Sequence, residues 1–99
     1  MNTEKTVSII MGTYNGAKYI REQLDSILAQ TYPLKEIIIQ DDGSTDDTIA
    51  ICQAYQEKYP IVHFSRNEHN LGFNANFKSA AMKATGDFVA FSDQDDVWF

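Results

Sequence analysis

The sequence predicts a Rossmann-like, doubly wound α/β fold: a mostly parallel sheet of about four strands with helices on both faces. Two observations carry this. Apolar runs of strand length alternate with amphipathic stretches of helix length, in the order β-α-β-α-β-α-β. Those runs are apolar at nearly every position, the pattern of strands covered on both faces. Connections of helix length join parallel neighbours through right-handed crossovers.

The elements follow in chain order. "VSIIM" (Val7 to Met11) reads as the first strand. After the turn residues Asn15 and Gly16, the apolar positions Ile20, Leu24, Ile27 and Leu28 recur at helical spacing, and Pro33 closes that region. "EIIIQ" (Glu36 to Gln40) is the second strand. In "DDGSTDD", Gly43 suits a turn, and Ser44 followed three residues on by Asp47 reads as a helix N-cap. That helix buries Ile51, Cys52, Tyr55 and Tyr59 and stops before Pro60. "IVHF" is a short third strand and "RNEHNLG" a polar loop. A third helix buries Phe73, Phe77, Ala80, Ala81 and Ala84, with Gly86 as its C-cap, and "DFVAF" is the fourth strand.

Composition narrows the function. Ninety-nine residues, 43% apolar and 12% aromatic, make one domain with an adequate core. A net charge of −6 with no basic patch argues against binding a nucleic-acid backbone. An acidic protein that handles an anionic substrate needs a cation to mediate. The lone Cys52 excludes an internal disulfide and, on the apolar helix face, reads as core. The apolar run near the N-terminus is too short for a signal peptide or a membrane span, so a cytoplasmic chain is expected.

Doubly wound sheets bind ligands beyond the carboxyl ends of their strands. Four segments fall there: "GTYNG", "DDGSTDD", "SRNEHNLG" and "SDQDD". With Glu68 left out, Asp41, Asp42, Asp46, Asp47, Asp93, Asp95 and Asp96 lie in them, half of the fourteen acidic residues. Asp46 and Asp47 suit a helix N-terminus through the macrodipole. Asp41 and Asp42 are adjacent carboxylates that repel unless donors or cations are near. Asp93 and Asp95, two apart in an extended segment, point the same way about 6–7 Å apart and suit a hard divalent cation such as Mg²⁺ or Mn²⁺ over a diphosphate. Tyr14 offers a flat face to a base. "GTYNGAK" matches neither the P-loop nor the dinucleotide fingerprint. Arg66, Lys78 and His69 are polar residues of or near the third loop, and His63 lies in a strand; no Ser/His/Asp or Cys/His set is assignable.

Together, "VSIIMGTYNG", "ILAQTYPLKEIIIQDDGSTDDT", "NLGF" and "ATGDFVAFSDQDDVW" resemble the N-terminal half of family 2 glycosyltransferases with the GT-A fold, over nearly the whole chain. The resemblance implies an inverting enzyme that moves a sugar from a UDP- or dTDP-sugar donor to an acceptor hydroxyl in cell-surface polysaccharide synthesis. It implies that Thr13, Tyr14 and Asn15 line the base pocket, Tyr14 by stacking. Asp42 accepts from the base N–H, Asp93 lies near the ribose, and Asp95, with Asp93, ligates the metal. The family often shows Ala-Arg-Asn where this chain has Asn76, Phe77 and Lys78, so Lys78 stands in for the missing arginine. "SDQDDVW" with "NLGF" is similar to the branch that includes bacterial rhamnosyltransferases.

The resemblance further implies that residues 1–99 are a single partial domain ending just after the D-x-D, with the general base in the half that follows. The expected partners are a nucleotide-diphosphate sugar and a glycan or lipid-linked acceptor, with a homodimer through an exposed sheet edge and a location at the inner membrane face. A phospho-receiver domain is disfavoured, because "IVHFSRN" lacks the aspartate that design needs after its third strand. A non-catalytic nucleotide-binding module of the same fold is the remaining rival.

Overall fold

The computed structural model describes residues 6–29, 34–67, 72, 78 and 80–93, with the backbone alone for 91–93. The strands are β1 (Val7–Thr13), β2 (Leu34–Asp41), β3 (Val62–Arg66) and β4 (Phe88–Asp93). The helices are α1 (Ile20–Leu28) and α2 (Thr48–Lys58). The sheet order is β3-β2-β1-β4 and every pairing is parallel. The expected doubly wound architecture is therefore present.

Continuous apolarity in β1 and β2 has the predicted cause. Ile9, Met11, Ile37 and Ile39 point to one face, where they pack with Ile20, Leu24, Ile27, Ile51, Cys52 and Val62. Ile10 and Ile38 point to the other, under Ala80 with Ala81 and Ala84 beside it. Burying one such isoleucine contributes about 2–3 kcal/mol, so the sheet is fixed from both sides. Residues 78, 80 and 81 are helical. The expected burial of Phe73 and Phe77 lies outside the described residues.

Two sequence expectations need correcting. Ser44 is not the N-cap of α2; that position is Asp47, and the helix starts at Thr48. Ser44 lies within the preceding loop, where Gly43 takes a φ of +98° to make the turn. Gly86 is not a left-handed helix cap either, since the described glycines with positive φ are Gly43 and Gly72. Its lack of a side chain serves close approach: a Cβ there would lie 2.7 Å from Ser8 Oγ and 2.9 Å from Ser8 N.

That contact belongs to a polar knot at the amino edge of the sheet. Ser8 Oγ donates to Glu36 Oε2 at 2.6 Å and accepts from Gly86 N at 2.8 Å. Thr85 donates to the same Glu36 oxygen from its amide at 2.6 Å and its hydroxyl at 2.9 Å. Glu36 is only 8% exposed. Burial alone would push its carboxyl up. The Ser8 and Thr85 donors outweigh that, His63 adds in the same direction, and the carboxyl is held below its ordinary 4.5. The knot fastens the turn before β4 to β1 and β2.

Glu36→Ala leaves the buried Ser8 hydroxyl and the part-buried amide and hydroxyl of Thr85 without their acceptor and is expected to cost about 2–4 kcal/mol at pH 7, read as a fall in urea midpoint. Because the folded state favours the ionised form, this contribution is complete above 4.5 and is lost as pH falls through the lowered value. The gap between wild type and variant should therefore close in acid. Gly86→Ala should also destabilise, by about 1–3 kcal/mol, through collision with β1.

Candidate functional site

The carboxyl edge is built by register. Gly12 pairs with Gln40 on one side and Asp93 on the other. Thr13 pairs with Asp41, and Asp41 with Arg66. The ends of all four strands thus lie side by side.

Asp41 and Asp42 are adjacent in sequence but serve different networks, which is how their repulsion is relieved. Asp41 is fully buried. Its Oδ1 accepts from Thr13 Oγ1 at 2.6 Å and from the Ser44 hydroxyl at 2.5 Å. Its Oδ2 accepts from the amides of Gly43 at 3.0 Å and Ser44 at 2.8 Å. Asp42 is 5% exposed. Its Oδ1 accepts from Asn67 Nδ2 at 2.8 Å and its Oδ2 from Gly72 N at 2.9 Å. Asp41 organises the loop after its own strand, and Asp42 organises the loop after β3.

The loop after β1 is clipped to the loop after β2. Asn15 takes a φ of 50°. Its amide donates to Ser44 Oγ, and its side-chain oxygen accepts from Thr45 N at 2.7 Å. Gly16 N donates to Thr48 Oγ1 at 2.8 Å. Asp46 accepts from Thr48 N, Thr48 Oγ1 and Ala17 N. The Thr48 hydroxyl bond is the main cause of its carboxyl lying below the usual range. Asp46 and Asp47 thus occupy the helix-terminus position that the sequence suggests.

The structure brings Thr13, Tyr14, Asn15 and Asp42 together. Thr13 is buried, its hydroxyl committed to Asp41, and its carbonyl accepts from Asp42 N at 2.9 Å. That bond joins the backbone at Asp42 to the end of β1, and Tyr14, the next residue there, is 50% exposed. Lys78 is exposed on the helical segment of the second face. Asp93 ends β4 in register with Gly12, its side chain outside the description. Asp95, Asp96 and His69 lie outside the described residues, and among those described no group of three acidic, His or Cys residues could hold a metal ion. Cys52 is core: burial, with Asp41 and Asp46 adding, pushes its thiol up to about 12.

Asn67, Gly72 and Gln40 are site residues the sequence reading does not single out. A signal exists for one of them. Glu36, Ile38 and Gln40 share one face of β2, and a polar residue flanking such an apolar strand on its buried face needs a partner.

The chain belongs to glycosyl transferase family 2, whose family model matches residues 8–99. It is 39% identical over 98% of its length to the putative teichuronic acid biosynthesis glycosyltransferase TuaG of Bacillus subtilis, covering 38% of that protein. Among solved structures it is similar to S. aureus TarS 1-349 in complex with UDP-GlcNAc, at 38% identity and a TM-score of 0.84 over 93% of this chain and 27% of that one. It is also similar to the mannosyltransferase PcManGT of Pyrobaculum calidifontis in complex with GDP-Man and Mn²⁺, at 31% identity and a TM-score of 0.88, covering 98% and 29%. The chain spans about a third of the length of the curated relatives it matches.

Asp41→Asn turns an acceptor oxygen into a donor facing donors. It is expected to cost about 1–3 kcal/mol in stability, measured by urea denaturation followed by circular dichroism.

Proposed function

We propose that this chain is the donor-binding part of an inverting glycosyltransferase of cell-surface polysaccharide synthesis, taking a UDP- or dTDP-sugar. The observation that carries the reading is that Asp42 and the half-exposed Tyr14 lie at the adjoining ends of β2 and β1 on the carboxyl edge, in a family 2 chain. A ring face and an oriented carboxylate are what a pyrimidine base needs, one to stack and one to accept its N–H. The nucleotide-sugar complexes of TarS and PcManGT support the donor class.

In this reading Tyr14 stacks the base and Asp42 accepts from it, within a pocket whose wall is the loop of Thr13 and Asn15. Asp93 lies near the ribose, and Lys78 meets the donor from the neighbouring helix. Asp95 and Asp93 hold Mg²⁺ or Mn²⁺, which offsets the charge of the diphosphate in an otherwise acidic site. Carboxylate oxygens are suitable ligands for such an ion, and the Mn²⁺ in PcManGT is consistent with it. In the transfer, an acceptor hydroxyl oxygen bonds to the anomeric carbon as the bond to the diphosphate breaks, and a general base takes the hydroxyl proton. None of the 99 residues is proposed as that base. The acceptor is a glycan or lipid-linked hydroxyl, met at the cytoplasmic face of the membrane, and the rhamnosyltransferase branch is the proposed subgroup.

Titration with UDP and dTDP, with and without Mn²⁺, tests this. Binding should depend on the metal, weaken about tenfold or more in Asp42→Ala and lose its metal dependence in Asp95→Ala. Binding indifferent to Asp95→Ala would remove the metal role, and no binding of either nucleotide would remove the donor reading.

We also propose that β4 pairs with a second copy of the chain. β4 lies at the end of the strand order, and the consecutive residues Phe88 and Val89, on opposite faces, are 57% and 42% exposed. Light scattering should report a dimer that Val89→Lys dissociates; a monomer at high concentration rules the pairing out.

A further inference from the structure

A continuous line of side chains runs over the second face of the sheet to Asp42. Lys83 Nζ donates to Gln40 Oε1 at 2.6 Å. Gln40 Nε2 donates to Asn67 Oδ1 at 2.7 Å. Asn67 Nδ2 donates to Asp42 Oδ1 at 2.8 Å. The line begins at an ammonium, which can only donate, and ends at a carboxylate, which only accepts. Those two ends allow one orientation for each amide between them, so both amide dipoles point the same way. Aligned hydrogen bonds polarise one another, and charge at each end reinforces the effect.

The line is anchored independently of its side chains. Asn67 N donates to the carbonyl of Asp41 at 2.8 Å, which fixes Asn67 at the end of β2. Gln40 is buried one residue before Asp41. Gly72 N holds the second oxygen of Asp42 at 2.9 Å, with Gly72 at a φ of +84° that favours glycine. A carboxylate gripped at both oxygens cannot turn about its own axis and presents one fixed acceptor edge.

We propose that Lys83, Gln40 and Asn67 are positioning residues for Asp42: the ammonium, acting through two oriented amides, sets the carboxylate edge that reads the nucleobase. This rests on the nucleotide reading above. It assigns a functional role to a lysine that lies outside the sheet and reaches Asp42 only through Gln40 and Asn67 among the described bonds. The role is selective. It concerns the base and leaves the diphosphate end untouched.

The test uses the 99-residue chain with Lys83→Met and Lys83→Arg. UDP affinity in the presence of Mn²⁺ should fall about fivefold in Lys83→Met and recover in Lys83→Arg, the size of one hydrogen bond. Affinity for inorganic pyrophosphate with Mn²⁺, a probe without a base, should not change. General damage to the fold would weaken both probes, and that result overturns the proposal, as does UDP affinity unmoved by Lys83→Met. The second readout needs no nucleotide: the side-chain amide resonances of Asn67 in ¹⁵N spectra should shift in Lys83→Met and return towards wild type in Lys83→Arg. Resonances that stay put overturn the relay even if UDP binds. Wild-type chain that binds no UDP while those resonances shift keeps the relay and removes the nucleotide reading and the positioning role with it.

Discussion

The carboxylate of Asp41 is the constraint on which the carboxyl edge depends. It is fully buried and would be intolerable there without donors. It receives four, from Thr13, Gly43 and Ser44, and in accepting them it ties the end of β1 to the end of β2 and shapes the turn between β2 and α2. The Ser44 hydroxyl that donates to Asp41 also accepts from Asn15, so the loop after β1 is drawn into the same network. One charge, satisfied by neutral groups, thereby sets the mutual position of two loops. Its neighbour Asp42 inherits a fixed backbone from this arrangement and faces the third loop instead. The acidic pair is thus divided between a residue that joins β1 to the β2 loop and one that holds residues following β3.

The two faces of the sheet do different work. The first, against α1 and α2, is an apolar core of isoleucine, leucine and methionine with Val62 and Cys52. The second carries a short apolar centre, Ile10 and Ile38 under Ala80, flanked along β2 by Glu36 towards one edge and Gln40 towards the other. Each of those polar residues binds the segment that links the second-face helix to β4: Glu36 through Thr85, Gln40 through Lys83. The link is thus fastened to β2 on both sides of the apolar patch. Since β4 leads directly to Asp93, bonds at the far edge of the sheet help determine where the D-x-D segment begins.

Much of the fold is legible because periodicity carries it. The apolar runs of β1 and β2 and the spacing of Ile20, Leu24 and Ile27 leave few alternatives, and the parallel pairing follows from the connections. What periodicity does not carry is the partner of a polar side chain. Ser44 has the composition of an N-cap, yet its hydroxyl has stronger claims on it from Asp41 and Asn15, and the helix begins four residues later. Gly86 reads as a cap by its place after a helical pattern, yet it is needed for contact with Ser8, far away in sequence. The same limit applies at the site. The acidic cluster marks the edge, but nothing in "DDG" distinguishes the aspartate that folds the loop after β2 from the one that Asn67 and Gly72 hold. Asn67 lies in a loop whose pattern carries no sign that it would meet Asp42.

The separation of Asp41 from Asp42 also bears on how such an edge tolerates change. Removing the Asp41 carboxylate strands the Thr13 hydroxyl at the end of β1 and the Gly43 and Ser44 donors of the loop after β2, so its loss is first a loss of structure. Among the described bonds, the Asp42 carboxylate accepts from Asn67 and Gly72, which follow β3, and not from the residues that join β1 to β2. Consecutive residues of one strand end are therefore held by different partners: the aspartate paired in the sheet register by Thr13, Gly43 and Ser44, and the one just beyond the last paired position by Asn67 and Gly72.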